Sequence, residues 1–292
     1  MKKKFIDPLI KRKANLTKNV QFFKKNIPLP SVIEISESGT CNRVCSFCPR
    51  SAPDFPDIKE FISEDLILKL SKELSNYDYS GIFLFSGFVE PMLDKNIYNL
   101  INIVRNNLRK AKIEMVTNGD VLDKQRAKKL FSSGLSTLLV SIYDGKKEAE
   151  EMEKLLRDCD LTDEQFKVRH RYLPESDSFG ITLSNRAGMM EKAEYVIPSL
   201  KEPMKKPCYY PHYTFFMDYT GEVLVCSHDW GKKLVVGNLK NESFIDIWMS
   251  KKFSLARKSL FKANRNFAPC DKCDVTGTYM GGDHARAWQE VK

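Results

Sequence analysis

The run Cys41-Asn42-Arg43-Val44-Cys45-Ser46-Phe47-Cys48 places three thiols at C-x3-C-x2-C spacing. It follows the first strand-like stretch, Val32 to Ile35, so the cysteines fall on a loop long enough to wrap them around one point. Three thiolates on one centre leave a coordination position open. A structural zinc site takes four ligands instead, usually from paired C-x2-C units. Three unrelated buried cysteines would leave the spacing unexplained.

Outward from that loop, short apolar β-rich runs alternate with amphipathic helical stretches. Ser63 reads as an N-cap with Glu64 and Asp65 in the first turn, and Leu66, Ile67, Leu70 and Leu74 recur at helical spacing. Ile82 to Phe85 is the next strand, followed by a helix face of Ile97, Leu100, Ile101, Val104 and Leu108. Ile113 to Val116 and a helix over 123–133, closed by Gly134, repeat the pattern. Leu138 to Ile142 is a fourth strand, residues 146–158 a charged helix, Phe166 to Tyr172 a fifth strand and Ile181 to Leu183 a sixth. Strands alternating with helices imply right-handed crossovers and a parallel sheet. About six such units are too few for a closed eight-stranded barrel, so the fold class is α/β, a partial (β/α)6 TIM-like barrel.

The grammar changes near residue 200. Lys201, Lys205 and Lys206 flank Pro203 and Pro207 in a linker-like stretch. Tyr213, Phe215 and Met217 then alternate with polar neighbours up to the turn Asp218-Tyr219-Thr220-Gly221, and Val223 and Val225 alternate beyond it, which predicts a hairpin. A helix holding Phe244, Ile247, Trp248 and Phe253 follows. The expected division is a basic arm over 1–30, a core over 31–200 and a small domain over 201–292 that needs a staple.

Composition narrows the class further. The chain has 292 residues, 42% of them hydrophobic, and a formal charge of +9, so it can bury a core and is not a disordered chain. No apolar run approaches membrane-spanning length, and MKKKFIDPLIKRK has no apolar segment behind its lysines; a cytoplasmic protein is expected. Eight cysteines in a reducing compartment point to metal or redox chemistry. Residues 1–26 hold nine basic side chains (Lys2, Lys3, Lys4, Lys11, Arg12, Lys13, Lys18, Lys24, Lys25) against Asp7, which leaves only +1 for the rest. Such an arm reads as a solvated lead-in whose Leu9, Val20, Phe22 and Phe23 dock on the body, or as a binder of phosphates or an anionic surface. No nucleic-acid module is expected.

The cysteine run, with an aromatic just before its third cysteine, resembles the signature of the radical S-adenosylmethionine (SAM) enzymes. The resemblance implies that Cys41, Cys45 and Cys48 hold a [4Fe-4S] cluster whose unique iron binds SAM, and that the reduced cluster cleaves SAM to a 5′-deoxyadenosyl radical. It also implies that Ser86-Gly87-Phe88-Val89-Glu90-Pro91 takes the place of the family's Gly-Gly-Glu-type stretch at the SAM amino group. A serine stands here for the first glycine, and Phe-Val precedes Glu90. Thr117, Asn118 and Ser141 fall where the family contacts SAM, and Arg169 or Arg171 would pair with its carboxylate.

Cys208, Cys226, Cys270 and Cys273, with Val236-Gly237-Asn238-Leu239 and Ile245-Asp246-Ile247-Trp248 between them, resemble the shortened SPASM or "twitch" domain that binds one auxiliary [4Fe-4S] cluster. No cysteine follows Cys273, so a second auxiliary cluster is not expected; a four-thiolate zinc site is the alternative. Cys159 reads as a spare thiol, and the four histidines show no metal-ligand pairing. Among family members with one auxiliary cluster, the likeness extends to those that oxidise a small alcohol, through Ser184-Asn185-Arg186-Ala187-Gly188. That implies a small polar substrate, a sugar or aminocyclitol, with Arg186 at its hydroxyl and the auxiliary cluster accepting an electron. A donor such as flavodoxin or ferredoxin is implied as well. Peptide or protein modification is the alternative enzyme reading, and a zinc-binding protein without activity the third.

Overall fold

The computed structural model describes residues 5–24 and 26–291, so Lys2, Lys3, Lys4 and Lys25 of the basic arm lie outside the described residues. Helix α1 (Leu9–Leu16) comes first. Five β-strands then alternate with helices: β1 (Val32–Ser36), α2 (Glu64–Ser75), β2 (Ile82–Phe85), α3 (Ile97–Asn107), β3 (Lys112–Thr117), α4 (Lys124–Ser132), β4 (Thr137–Ile142), α5 (Lys146–Arg157) and β5 (Phe166–His170). The expected capping is present: the Ser63 hydroxyl accepts from the Leu66 amide, and Asp123 does the same for Arg126. Gly134 follows α4 at φ +110°, a conformation that a side chain would strain.

Beyond residue 200, the expected hairpin is β6 (Thr214–Asp218) against β7 (Glu222–Leu224), followed by β8 (Val235–Asn238). The single helix expected around Phe244 to Phe253 is two, α6 (Phe244–Trp248) and α7 (Lys251–Phe261), each opened by a serine cap at Ser243 and Ser250. A short α8 (Gly282–Ala287) closes the chain.

One eight-stranded sheet runs in the order β8-β7-β6-β1-β2-β3-β4-β5. Its six parallel strands are β6, β1, β2, β3, β4 and β5. The sixth strand is therefore Thr214–Asp218 on the β1 edge, and the expected Ile181 to Leu183 strand does not form. The sheet crosses the expected boundary at residue 200, and the apolar core crosses with it: Ile33 and Ile35 share a cluster with Phe215, Met217, Ile247 and Trp248.

Strand alternation sorts the two faces. Ile33, Ile35, Phe83, Phe85, Ile113, Met115, Leu138 and Val140 face the helices. Their neighbours Glu34, Leu84, Glu114, Val116, Leu139, Ser141 and Arg169 line an interior cavity of about 390 Å³. A fully covered parallel strand is apolar on both faces. Here the inner face turns polar because it borders a cavity.

Candidate active site

The cysteine loop leaves β1 and is pinned at several points. The Cys48 amide donates to the Cys45 carbonyl at 2.9 Å, and the Ser51 hydroxyl reaches the Cys48 carbonyl at 2.8 Å. Arg50 donates to the carbonyls of Gly39 and Phe88 and pairs with Asp57. Arg43 forks onto Asp120 at 2.5 Å and Asp144 at 2.6 Å, and Asn42 bonds both Asp120 and Asn118 at 2.7 Å. The loop is thus stitched to the C-terminal ends of β3 and β4. Asp120, Asp144 and Glu148 form the one carboxylate group with metal-like spacing among the described residues, and the guanidinium of Arg43 already occupies it.

All three loop cysteines border the cavity, together with Ser86, Gly87, Glu90, Thr117, Asn118, Ser141, Arg169, Arg171 and Arg186. Glu90 anchors the strand ends: one carboxylate oxygen accepts from the Thr117 hydroxyl at 2.6 Å and the Met92 amide at 2.9 Å, and the other from the Asn118 amide at 2.6 Å. Burial raises its pKa to about 7 against those donors. The Ser86 hydroxyl donates to Glu34 at 2.8 Å, whose second oxygen is buried and unpartnered.

The two arginines of β5 and its end differ. Arg171 donates to Asp7 at 2.5 Å and to the Gly180 carbonyl, so its fork is engaged. Arg169 is half-buried, its Nε enclosed and unpartnered, and desolvation, then Arg171, lowers its pKa to about 10. Arg186 sits at φ +47° in a turn whose neighbour Asn185 bonds the Lys272 carbonyl and the Asp274 carboxylate. Its guanidinium lies 3.2 Å from His228 Nδ1 and over the Trp230 ring.

The second cysteine set is gathered by Arg265, which is 2% exposed. It donates to the carbonyls of Lys206 and Pro207 on one side and Val275 and Thr276 on the other, drawing the Cys208 segment against the Cys270–Cys273 loop. Gly277 lets the loop close: a Cβ there would stand 2.5 Å from the Cys208 sulfur. Cys226 follows β7, and Ser227 and His228 beside it reach the cavity. Cys159 is buried outside both sets against the Lys124 carbonyl.

Both sets suit clusters. All eight cysteines are free thiols, and burial raises the pKa of every cysteine in the two sets, Cys45 to about 12 and Cys273 to about 11. Metal ligation is what draws such protons off. A lone zinc ion, with Zn–S bonds of about 2.3 Å, brings its sulfurs to roughly 3.8 Å of one another. Neither set holds three sulfurs mutually within even 4.8 Å, which leaves room for a larger group.

Sequence patterning missed Glu34, Glu114, Tyr143 and Trp230, all of which line the cavity. The signal for the first two was a charged residue inside an apolar run, Val32-Ile33-Glu34-Ile35 and Ile113-Glu114-Met115. It also missed the part played by the arm, since Asp7, Leu9, Ile10, Arg12 and Lys13 border the same cavity.

The radical SAM superfamily model matches residues 35–174, and the SPASM iron-sulfur cluster-binding domain model matches residues 208–274. The chain carries a radical SAM domain and a SPASM domain, the make-up of a radical SAM enzyme, and these two domains imply SAM, a [4Fe-4S] cluster and an auxiliary cluster. It is 29% identical over 245 residues to the S-adenosyl-L-methionine-dependent 2-deoxy-scyllo-inosamine dehydrogenase of Niallia circulans, covering 84% of this chain and 92% of that one. The crystal structure of BtrN in complex with AdoMet and 2-DOIA matches with a TM-score of 0.71 at 27% identity, over 87% of this chain and 98% of that one. Native anSMEcpe with bound AdoMet matches with a TM-score of 0.54 at 15% identity, over 88% and 94%, a likeness of fold alone. The expected family, fold class and cofactors thus agree with these matches. Among the described residues, no helix is long and apolar enough to cross a membrane.

Proposed function

We propose that this enzyme oxidises an alcohol carbon of a small polar substrate, a sugar or aminocyclitol, in the cavity between barrel and SPASM domain. The observation that carries the reading is Arg186, a cavity-lining guanidinium tied through Asn185 to the Cys270–Cys273 loop and facing His228. It lines the same cavity as Cys41, Cys45 and Cys48, and its neighbour Asn185 is bonded to Lys272 and Asp274 beside Cys273. When bound, the cluster and SAM supply the 5′-deoxyadenosyl radical that takes a hydrogen atom from the substrate carbon.

The protein's own groups do the rest. Glu90 fixes Thr117 and Asn118 at the strand ends, and with Ser86, Gly87 and Ser141 they surround SAM. Arg169 receives the SAM carboxylate, because Arg171 is already engaged by Asp7 and Gly180. Arg186 holds the substrate hydroxyl, and His228 beside it takes the proton as the carbonyl forms. Cys208, Cys226, Cys270 and Cys273 would hold the auxiliary cluster, whose chemistry when bound is to accept the second electron. In this reading residues 31–200 are the SAM-cleaving core and 201–292 the electron-accepting domain. A flavodoxin or ferredoxin in the cytoplasm supplies the first electron.

The test is anaerobic incubation of reduced, cluster-loaded enzyme with SAM and a panel of sugars and aminocyclitols, 2-deoxy-scyllo-inosamine among them. Formation of 5′-deoxyadenosine with a product two mass units lighter is expected. Cleavage of SAM with every panel member unchanged, but with a peptide modified, would replace this reading by the maturase one.

A further inference from the structure

Four carboxylates line the cavity, Asp7, Glu34, Glu90 and Glu114, and three of them are matched. Arg171 pairs with Asp7, Arg12 forks onto the two oxygens of Glu114 at 2.6 and 3.2 Å, and Glu90 takes the Thr117 hydroxyl and two backbone amides. Glu34 is the exception. It is 7% exposed, no Lys or Arg pairs with it among the described residues, and its one hydrogen bond comes from the Ser86 hydroxyl. The other oxygen is enclosed and has no donor. A carboxylate taken out of water with half its acceptor capacity empty is costly unless a donor, and best a cation, is bound there.

The place of Glu34 in the barrel says what that donor belongs to. Glu34 on β1 pairs with Leu84 on β2, and Leu84 with Glu114 on β3, so the three share one layer of the wall. Ser86, Gly87, Glu90, Thr117 and Asn118, which surround SAM in the reading above, lie at or beyond the C-terminal ends of β2 and β3. Glu34 is nearer the N-terminal ends, on the substrate side of them. Tyr210 is close to it. The Tyr210 ring packs against the cluster of Val32, Ile82 and Leu84 and against that of Cys208 and Cys270, and meets the His228 ring edge-on at 5.0 Å. Burial raises its phenol pKa, and Cys208, Cys226 and Glu34 raise it further. The Glu34 wall and the Arg186–His228 pair thus border one space, joined by Tyr210. The terminal torsion of a glutamate is soft, so a small turn brings the free oxygen to a ligand in that space while Ser86 stays bonded.

Resting on the oxidation proposed above, we infer that the substrate carries a protonated amine and that Glu34 holds it. A desolvated carboxylate prefers an ammonium to a hydroxyl, because the charge-assisted hydrogen bond is the stronger and the pair is neutral. A polyol fixed by its amine at Glu34 and by its oxidisable hydroxyl at Arg186 is held at two points. Glu34 therefore sets specificity, selecting an amino-polyol over the polyol with a hydroxyl in the amine's place.

The test is calorimetric titration of cluster-loaded, SAM-bound, unreduced enzyme with two pairs of probes. One is glucosamine against glucose; the other is 2-deoxy-scyllo-inosamine against the deoxyinositol bearing a hydroxyl in place of its amine. In at least one pair the amine is expected to bind at least about tenfold tighter. Glu34→Gln keeps the size of the side chain but not its charge, and should bring that pair to within about threefold, with SAM affinity unchanged. A smaller preference than this in both pairs, or one that persists in Glu34→Gln, would overturn the inference. So would a tenfold loss of SAM affinity in Glu34→Gln, which would place the SAM ammonium at Glu34. If Glu34→Gln does not fold, Glu34→Met, which removes the buried charge at similar size, takes its place under the same criteria. SAM-bound enzyme that binds no member of either pair would fail the small-polyol reading itself, whereas equal binding of amine and hydroxyl fails only this inference.

Discussion

The Glu90 carboxylate accepts the backbone N–H of Asn118 at 2.6 Å, joining the loop after β2 to the end of β3 at the rim of the cavity. Its other oxygen takes Thr117 and Met92. In Glu90→Gln the amide can keep those two contacts only by turning its NH2 group toward the Asn118 donor. A buried donor facing a donor costs about 1–3 kcal/mol. A lower denaturation midpoint and SAM binding weakened about tenfold are expected; wild-type values for both would show that Glu90 is not the anchor.

Arg186→Lys keeps the charge but loses the planar fork that faces His228 and Trp230. Reduced enzyme should still form 5′-deoxyadenosine at a rate within a few-fold of wild type, while oxidised product falls at least about a hundredfold. Parallel loss of both products would place Arg186 at SAM rather than at the substrate.

The two cysteine sets separate under substitution. Cys45→Ala leaves two thiolates on its loop, and SAM cleavage should vanish. Cys226→Ala should remove about half the iron, preserve uncoupled cleavage and abolish product. Iron and sulfide analysis with 5′-deoxyadenosine counts checks both; product at wild-type yield from Cys226→Ala would free the second set from the chemistry.

His284 sets a pH limit on the fold. Its Nε2 lies 2.8 Å from the Ser31 hydroxyl, and burial lowers its pKa to about 4. Between about pH 6.5 and 4 the unfolded chain binds a proton at this ring that the native chain refuses, so stability falls as pH falls through that window, by roughly 3 kcal/mol. Urea melts at about pH 7 and about pH 5 should show about 2 kcal/mol of that loss, and His284→Gln should flatten it relative to wild type. An identical drop in the variant would assign the acid sensitivity elsewhere, His212 being the next candidate since burial depresses it to about 3.

How far the sequence went depends on whether the deciding physics was local. Ile82–Phe85 was legible to the residue, because a four-residue apolar run between turn signals is too short for a helix and suits a buried strand. The sixth parallel strand was not. That Thr214–Asp218, and not Ile181 to Leu183, is the sixth strand rests on its pairing with β1 across about 180 residues, which no local pattern encodes. The same holds for Arg12: its bond to Glu114 spans 102 positions, so a cluster of basic residues read as a solvated face contains a cavity wall. The cysteines were legible because their chemistry is written in spacing, whereas Arg265, which gathers the second set, looks in sequence like any surface arginine.

The hydrogen-bonded pairing of Thr214–Asp218 with Val32–Ser36 bears on how this enzyme can be re-engineered. Every residue of both strands is buried; the loop carrying Cys41 follows β1, and Cys226 follows β7, the hairpin partner of β6. A fragment ending near residue 200 would leave β1 with a bare apolar edge, open to pairing with another chain. Exchange of SPASM domains between relatives therefore has to graft a barrel strand along with the cysteines, and chimaeras cut in the Lys201–Pro207 linker should aggregate rather than assemble.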